Sequence, residues 1–442
     1  MFLALVIVSG ILVVSFSAEM IQNKWSVLAT NQPKENVTLT VIFNNFNKKA
    51  GKTLLDNAID KLRSNHPTLG INVKFIETEY DNARDQMFKA LTNGTAVDVL
   101  TLDHPWLGEF AQKGLLTDLT NYTKKWGHLS DWYQSTRDGM TYNGSTYGIW
   151  AWTDVRGIWY WKDLLNEAGV DPNSLKTWDG YIESAKKLNT VLRPQGIEGV
   201  HLVGANHSPD IEFYPYLWML GGDIIAQKPG HPTKGDYWFP IYNSSKGVRA
   251  LEFIKAQIDA GIKPQKNHFW GKEFLDRKFA VMLEALQNHV HVNTTEQKKE
   301  FENKVGFLPM FPVPEGNHSA TMMGGWELSV TNKSKNKDLV WELITIMEDP
   351  KIITPFYEKY GLLPTQVSIG DGEYSANLSK TIPYYGQLIS MLQLKGVRPN
   401  IPEFPQIAEH IRQALDEVLY QSKDPKEALD NAAAKSAKTL GW

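Results

Sequence analysis

At 442 residues the chain is too long for one ordinary hydrophobic core, and its length predicts two lobes of roughly 150 to 220 residues each. The hydrophobic fraction of 42% and the charged fraction of 21% are typical of folded soluble proteins, so they argue against intrinsic disorder and against a multi-span membrane protein. A formal net charge of -3 offers no basic surface to phosphates, and we therefore expect no nucleic-acid partner.

The N-terminal segment Met1 to Ala18 is an uncharged apolar run that ends in small residues, as a signal peptide does. It predicts export to the cell surface or the medium. The run lacks the lysine or arginine of an ordinary signal, and its length also fits a retained membrane anchor. A cleaved signal and an anchor therefore both stay open, and residues 19–36 are predicted to form a polar tether.

Cysteine is absent from the chain, which excludes disulfides, thiolate metal sites and a cysteine nucleophile. Asn-x-Ser/Thr tripeptides are spread along the whole sequence, and together with the export signal they predict a glycosylated surface protein. These tripeptides begin at Asn36, Asn93, Asn121, Asn143, Asn206, Asn243, Asn293, Asn317, Asn332 and Asn377.

Strand and helix signals alternate in the first third of the chain. Short runs rich in β-branched residues predict buried strands at Leu39 to Phe43, Asn72 to Glu77 and Val97 to Leu102. Apolar residues at helical spacing predict a helix around Leu54 to Leu62 that stops before Pro67. Such alternation is typical of βαβ units around a parallel or mixed sheet, in which ligands bind at the carboxyl ends of the strands.

A second apolar and aromatic stretch, Tyr147 to Trp161, is expected near the start of the second lobe. Thr177 is predicted to cap the helix that follows it. Near the C-terminus, Asp424 and Pro425 with Glu427 predict another helix start. No repeat of 20 to 50 residues stands out, so a solenoid or a propeller is not expected.

Catalytic and metal-binding signatures are not convincing in this sequence. There is no GxSxG elbow, P-loop or HExxH motif, and His289 with His291 is a weak metal pattern. Asp103 and Asp154 could act as acid and base on a glycosidic bond if their carboxyl groups stood about 5 to 9 Å apart. Each Asp taken alone is more simply a helix cap or a hydrogen bonder at a strand end.

Several segments, in a fixed order, carry a resemblance to a known family. The most specific is YNGSTYGIWAWTDVRGIWYWKDLLNEAGVDPNSLKTWDGYIESAKKL (Tyr142 to Leu188). The others are VDVLTLDHPWLGEFAQKGLLTDL (Val97 to Leu119), NSSKGVRALEFIKAQIDAG (Asn243 to Gly261), FLDRKFAVM (Phe274 to Met282), MMGGWELSV (Met322 to Val330), YGLLPTQ (Tyr360 to Gln366) and the region Gly396 to Lys435. Together they resemble the extracellular solute-binding proteins of sugar ABC transporters, above all the maltose and trehalose/maltose binders.

The resemblance implies an α/β, two-lobed periplasmic-binding-protein-like fold with discontinuous lobes, about three crossings and an interlobe ligand cleft. We expect lobe one at residues 37–147 and 307–349, and lobe two at residues 148–306 and 350–442. It further implies that the protein captures a carbohydrate and delivers it to a membrane permease. We therefore expect a monomer that needs no cofactor or metal and is not an enzyme.

Asp103, Asp154 and Trp326 are the first candidates for ligand contacts, because they resemble the family's contacts and suit a sugar. Carboxylates can bond the hydroxyl edges of a sugar, and an aromatic ring can cover its CH face. Gly324 and Gly325 before the tryptophan would let the backbone approach the ligand. A second group of candidates comprises Trp106, Trp152, Glu327, Asn45, Glu212 and Phe404.

Two departures from the family pattern leave the sugar open. Relatives often carry a tryptophan where this chain has Leu286, Gln287 and Asn288, and some maltose binders carry another where this chain has Ala408. Two stacking platforms are therefore in doubt. Two other functions also stay open: a secreted glycan hydrolase, and a surface receptor that senses a solute without importing it.

Overall fold

The computed structural model describes residues 35–44, 48–78, 80–203, 210–265, 271–285, 294–381, 384–394 and 396–442. The apolar run Met1 to Ala18 and nearly all of the predicted tether lie outside these residues. Within the described part of the chain, no helix is both long enough and apolar enough to cross a bilayer.

Strands and helices are mixed along the chain, and the predicted α/β class is confirmed. The strands are β1 (Glu35–Asn44), β2 (Leu69–Thr78), β3 (Val99–Asp103), β4 (Thr141–Tyr142), β5 (Ser145–Thr146), β6 (Ile149–Val155), β7 (Gly157–Trp161), β8 (Glu198–Val200), β9 (Leu202–Val203), β10 (Ile225–His231), β11 (Gly235–Pro240), β12 (Pro264–Gln265), β13 (Phe279–Glu284), β14 (Val305–Leu308) and β15 (Met323–Val330). The helices are α1 (Lys48–Asn65), α2 (Tyr80–Thr92), α3 (Leu107–Gln112), α4 (Thr120–Trp126), α5 (Gln134–Gly139), α6 (Lys162–Glu167), α7 (Trp178–Leu192), α8 (Asp210–Met219), α9 (Ser245–Asp259), α10 (Lys272–Leu275), α11 (Thr295–Lys304), α12 (Lys337–Met347), α13 (Pro350–Tyr360), α14 (Val367–Gly370), α15 (Glu373–Thr381), α16 (Tyr385–Ser390), α17 (Phe404–Gln421) and α18 (Pro425–Thr439). Short 3₁₀ turns cover His104–Trp106, Leu129–Asp131, Pro172–Lys176, Arg193–Gln195 and Met391–Gln393.

The element starts predicted from capping residues are confirmed. The Thr177 hydroxyl accepts a hydrogen bond from the Gly180 N–H at 3.2 Å, and helix α7 begins at the next residue. The Asp424 carboxylate accepts one from the Glu427 N–H at 3.0 Å at the start of α18. In both cases the side-chain oxygen satisfies a backbone donor that has no partner within the helix.

The first large sheet has five strands in the order β2-β1-β3-β15-β6. Strand β1 is parallel to β2 and β3, whereas β15 is antiparallel to β3 and β6. All residues of β3 and β15 are buried, as expected for inner strands that are covered on both faces. Strand β15 comes from far downstream in the sequence and lies between β3 and β6.

The second large sheet has four strands in the order β14-β7-β13-β8. Strand β7, with the sequence GIWYW, is fully buried and runs antiparallel to both β13 and β14. The aromatic stretch Tyr147 to Trp161 therefore supplies one strand to each sheet, β6 to the first and β7 to the second.

Each sheet has its own hydrophobic core. Helices α1, α12 and α13 cover the first sheet with buried side chains such as Leu54, Leu343 and Phe356. Helices α7, α9, α17 and α18 belong to the core of the second, with Tyr181 and Leu415 among their buried residues. Two cores of this kind form two lobes, while the exact residue limits predicted for the lobes stay a prediction.

In the part of the chain that the structure describes, three crossings connect the two lobes. The first crossing is at Arg156, between β6 and β7, and the second is the segment 309–322 between β14 and β15. The third lies between α13 in the first core and α17 in the second. Its last part, residues 396–401, contacts the first lobe, where the Gly396 carbonyl accepts a hydrogen bond from the Met323 N–H at 2.8 Å.

Candidate functional site

Three neighbouring strands of the first sheet, β3, β15 and the edge strand β6, bring four predicted site residues to the same end of the sheet. Asp103 is the last residue of β3, and the strand register places Trp326 of β15 opposite it. On its other side Trp326 is opposite Trp152 of β6, and Asp154 of the same strand is opposite Gly324. Because paired residues and residues two apart share a face of a sheet, these four side chains lie on the same face.

Asp103 is buried and bound to an arginine from the third crossing. Its exposed fraction is 2%, and its Oδ1 atom accepts a hydrogen bond from Arg398 Nη2 at 2.7 Å. The His104 Nδ1 atom lies 3.5 Å from the same oxygen. A buried carboxylate is costly without a partner, and the guanidinium supplies one. Arg398 is thus a residue of this site that the sequence prediction missed.

Asp154 lies at the end of β6, beside the first crossing. Its Oδ1 atom accepts hydrogen bonds from Arg156 Nη1 at 3.2 Å and from the Gly324 N–H at 3.2 Å. Burial raises the pKa of the Asp154 carboxyl and the charge of Glu284 adds to the rise, while Arg156, the Gly324 N–H and Arg398 oppose it. The group thus has positive and negative neighbours at once.

The same arginine connects the two lobes. Arg156 Nε lies 3.2 Å from Oε1 of Glu284, which is the last residue of β13 in the second sheet. Neither Arg156 nor Glu284 was predicted from the sequence. The only signal for Arg156 was its place two residues after Asp154, and Glu284 follows the FLDRKFAVM segment without a motif of its own.

The tryptophans of the site are largely covered by protein. Trp326 has an exposed fraction of 6%, and its ring meets that of Trp106 edge-on at a centroid distance of 6.0 Å. The ring of Trp152 stacks on Phe43 at 5.5 Å and meets Phe356 at 5.2 Å. Trp152 therefore lies between two phenylalanines and is part of the first hydrophobic core.

The glycine pair before Trp326 makes room for protein atoms. A Cβ atom on Gly324 would stand 2.5 Å from Asp154 Oδ2, which is closer than such atoms approach. Gly325 has a φ of +148°, and a Cβ atom there would overlap Nε1 of Trp150. The space taken by two neighbouring side chains is thus a structural reason for these glycines, while the close approach of a ligand stays a prediction.

Glu327 is buried on the other face of β15 from Trp326, since successive side chains of a strand alternate. Its exposed fraction is 0%, and neither carboxylate oxygen has a hydrogen-bond partner among the described residues. A Cβ atom on Gly148 would come within 2.7 Å of its Oε2 atom, so the carboxyl group fills the space beside that glycine. Burial, and secondarily the charge of Asp103, raises the pKa of Glu327 well above its usual range.

Replacing Glu327 with glutamine should flatten the pH dependence of stability. The folded protein binds the Glu327 proton more tightly than the unfolded chain does, so this group loses stabilising effect as pH rises from about 4.5 toward its raised pKa. Within that window the free energy of unfolding should fall by up to about 1.4 kcal/mol per pH unit in the wild type relative to Glu327→Gln. Denaturant melts between pH 4 and 8 measure the difference, and parallel curves would contradict it.

Glu212 and Phe404 lie in the second lobe. Glu212 is a buried residue of α8, and its charge contributes to the raised pKa of Tyr181 and of Tyr216. Phe404 is the first residue of α17, buried in the second core, with its ring 6.4 Å from that of Tyr214. Both positions are those of interior residues in this arrangement.

Other predicted positions fall outside the described residues. These are Asn45, the departure at Leu286 to Asn288, and the histidine pair His289 and His291. Ala408, the second departure, is partly buried and packs against the second core.

Comparison with known proteins places the chain among binding proteins. A family described as bacterial extracellular solute-binding protein matches residues 45–352, which is more than half of the chain. Similar curated proteins include a mannitol-binding protein of Pseudomonas aeruginosa, 22% identical with 91% of this chain and 93% of that protein covered. An arabinooligosaccharide-binding protein of Bacillus subtilis is 21% identical, with 84% and 86% covered.

Solved structures with the same fold include two sugar-binding proteins. The maltose-bound MalE3 of T. maritima is 23% identical, has a TM-score of 0.75 and covers 91% of this chain and 100% of its own. The GacH receptor of Streptomyces glaucescens, solved without ligand and with acarbose, is 24% identical, has a TM-score of 0.73 and covers 91% and 99%. The predicted two-lobed, periplasmic-binding-protein-like fold is confirmed by these likenesses.

Proposed function

Because the chain belongs to the bacterial extracellular solute-binding protein family, we propose that it captures a carbohydrate between its lobes and delivers it to an ABC permease. One observation carries the proposal: Asp103, Asp154 and Trp326, far apart in sequence, meet on three neighbouring strands at the same end of the first sheet. Carboxylates beside an indole ring are the groups that suit the hydroxyl edges and the CH face of a sugar.

The relatives support a polyhydroxylated ligand without fixing which one. Several relatives are named for mannitol, arabinooligosaccharides or galactooligosaccharides or were solved with maltose or acarbose, and all of these ligands present many hydroxyl groups, whereas one relative is named as a probable amino-acid transporter binding protein. We propose Asp103, Asp154 and Trp326 as ligand contacts, with Arg398 beside Asp103. Trp106 is proposed as the neighbour that holds the Trp326 ring, whereas Trp152, Glu327, Glu212 and Phe404 are proposed as supporting residues.

Transport follows from closure of the two lobes. A ligand that contacts both lobes binds the closed arrangement more tightly, and it shifts the population by that difference in affinity. The closed form is what the permease would recognise. We propose a monomer that is exported by means of the Met1 to Ala18 segment, which is either removed as a signal or kept as an anchor.

We also propose that the protein is not an enzyme. Both candidate carboxylates are engaged by guanidinium groups, Asp103 by Arg398 and Asp154 by Arg156. Incubation of the protein with the oligosaccharide that it binds, followed by chromatography, distinguishes the two functions: cleavage products would favour a glycan hydrolase.

A thermal-shift screen of sugars and polyols tests the binding function. A ligand present at 100 times its Kd should stabilise the folded protein by about 2.7 kcal/mol, which is a clear rise in Tm. Monosaccharides, disaccharides, oligosaccharides and alditols should be compared with amino acids and peptides. A response to peptides alone would contradict a carbohydrate ligand.

Asp154→Asn should weaken the binding of the best sugar from that screen. The change keeps the shape of the side chain and removes its charge, and a hydrogen bond to a charged group contributes about 1.5 to 3 kcal/mol, or roughly 10- to 150-fold in affinity. Calorimetric titration measures the loss. Asp56→Asn, at an exposed pair with Lys52 on α1, is the matched control and should leave the affinity unchanged. Equal affinities of the two variants would remove Asp154 from the site.

A further inference from the structure

One guanidinium group bridges carboxylates of both lobes. Asp154 lies near the end of β6 in the first sheet, and Glu284 is the last residue of β13 in the second. Arg156 Nη1 lies 3.2 Å from Oδ1 of Asp154, and Arg156 Nε lies 3.2 Å from Oε1 of Glu284. All three side chains are largely buried, with an exposed fraction of 11% for Arg156. We call these three residues the interlobe ion triad.

Arg156 is also fixed by the backbone around it. Its N–H donates to the Thr321 hydroxyl at 3.0 Å, and its carbonyl accepts from the same hydroxyl at 2.8 Å. Its Nη1 atom also donates to the Met322 carbonyl at 3.4 Å. Arg156 is itself the first crossing, and Thr321 and Met322 belong to the end of the second. The triad thus lies where two of the three crossings meet.

We infer that Arg156 is a positioning residue for Asp154, and that its bond to Glu284 makes the orientation of Asp154 depend on the arrangement of the two lobes. A planar guanidinium offers donors in a fixed fork, so its two carboxylate partners are held at a set separation. If the lobes rotate about the crossings, the two ends of this bridge cannot both keep their geometry. The inference rests on the proposed function only in taking Asp154 as a ligand contact.

The charges around Asp154 are consistent with this role. Glu284 lies on the opposite side of Arg156, Arg398 approaches from the third crossing, and the Gly324 N–H donates from β15. Without Arg156, two carboxylates at a small distance would repel each other, and one of them would turn away or take up a proton. Because the three side chains fix one another's positions, removal of any one of them should also disturb the other two.

A double-mutant cycle between Arg156 and Asp154 tests the inference. We expect Arg156→Met to weaken sugar binding by about 10-fold or more in the wild-type background and by less than about 2-fold in the Asp154→Asn background. Arg156→Lys should recover part of the loss, because it keeps the charge without the fork. Equal losses of affinity in both backgrounds would overturn the inference, since Arg156 would then act without Asp154.

The pH profile of binding separates positioning from a merely structural role. In Arg156→Met the pKa of Asp154 should rise further. As the pH is lowered, the affinity for sugar should therefore begin to fall at a higher pH in this variant than in the wild type. Arg193→Met is the matched control, because Arg193 is partly buried and is ion-paired with Glu198 at 2.8 Å within the second lobe. It should leave the affinity and its pH profile unchanged. An unshifted profile in Arg156→Met would also overturn the inference.

The same double-mutant cycle, measured as the stability of the ligand-free proteins, separates this inference from the proposed function. Melts of the four proteins give the coupling between Arg156 and Asp154 in the free energy of unfolding. If no sugar binds the wild type, the proposed function fails, and a measured coupling would still support the positioning of Asp154 by Arg156. If a sugar binds and neither cycle shows coupling, only the inference fails.

Discussion

Trp326→Ala is expected to lower both the stability of the protein and its affinity for sugar. The ring is 6% exposed and packs in the first core against Trp106, so its removal leaves a cavity. Large-to-small changes of this kind cost about 3 to 5 kcal/mol of stability. Loss of stacking area on a sugar should cost a further 1 to 3 kcal/mol of binding, or about 5- to 150-fold in affinity.

Thermal melts and calorimetric titration of the same variant measure the two quantities separately. Trp341→Ala is the matched control, because Trp341 packs at the first lobe against Tyr122 and Trp126, outside the proposed site. It should lower stability and leave the affinity of the folded fraction unchanged. If Trp326→Ala behaves in the same way as this control, the indole fills the core and does not contact the ligand.

Gly325→Ala is expected to destabilise the protein by about 3 kcal/mol or more, although it adds a single methyl group. Its φ of +148° lies in a region that residues with a Cβ atom rarely adopt, and the added carbon would overlap the indole nitrogen of Trp150. Trp150 is fully buried and donates from Nε1 to the Trp152 carbonyl at 3.0 Å, so its ring cannot move aside without losing that bond.

Gly94→Ala separates the backbone cost from the steric cost. Gly94 also has a positive φ, +82°, yet a Cβ atom there would meet nothing within 4 Å. Its replacement should cost only about 1 kcal/mol, for the left-handed backbone conformation alone. Urea melts of the two variants give the comparison. Equal losses would mean that Trp150 yields and that the glycine pair is not a packing requirement.

Local signals allowed the first three strands, the first helix and two later helix starts to be predicted. The apolar runs at β1, β2 and β3 and the caps at Thr177 and Asp424 depend on neighbours a few residues away, and these predictions are confirmed. The place of β15 between β3 and β6 does not follow from such signals. It depends on pairing between distant segments, which local periodicity does not encode, and only the resemblance to sugar-binding proteins indicated lobes built from discontinuous segments.

The candidate site was predicted in part, and the missing part consists of its positive charges. Asp103, Asp154 and Trp326 were found through the resemblance, whereas Arg398 and Arg156 were not. Arg398 pairs with a carboxylate 295 residues earlier in the chain, so no spacing in the sequence connects them. For Glu327, residue type and position in a motif did not reveal that its side chain faces the interior of the lobe.

The late position of β15 in the chain has a consequence for biosynthesis. The ribosome synthesises β3 and β6 long before β15, which pairs with both of them and completes the first sheet. Nascent chains that lack β15 therefore carry two unpaired strand edges, which are prone to associate with other chains. The first lobe can be completed only after β15 and the helices α12 and α13 that follow it have been made.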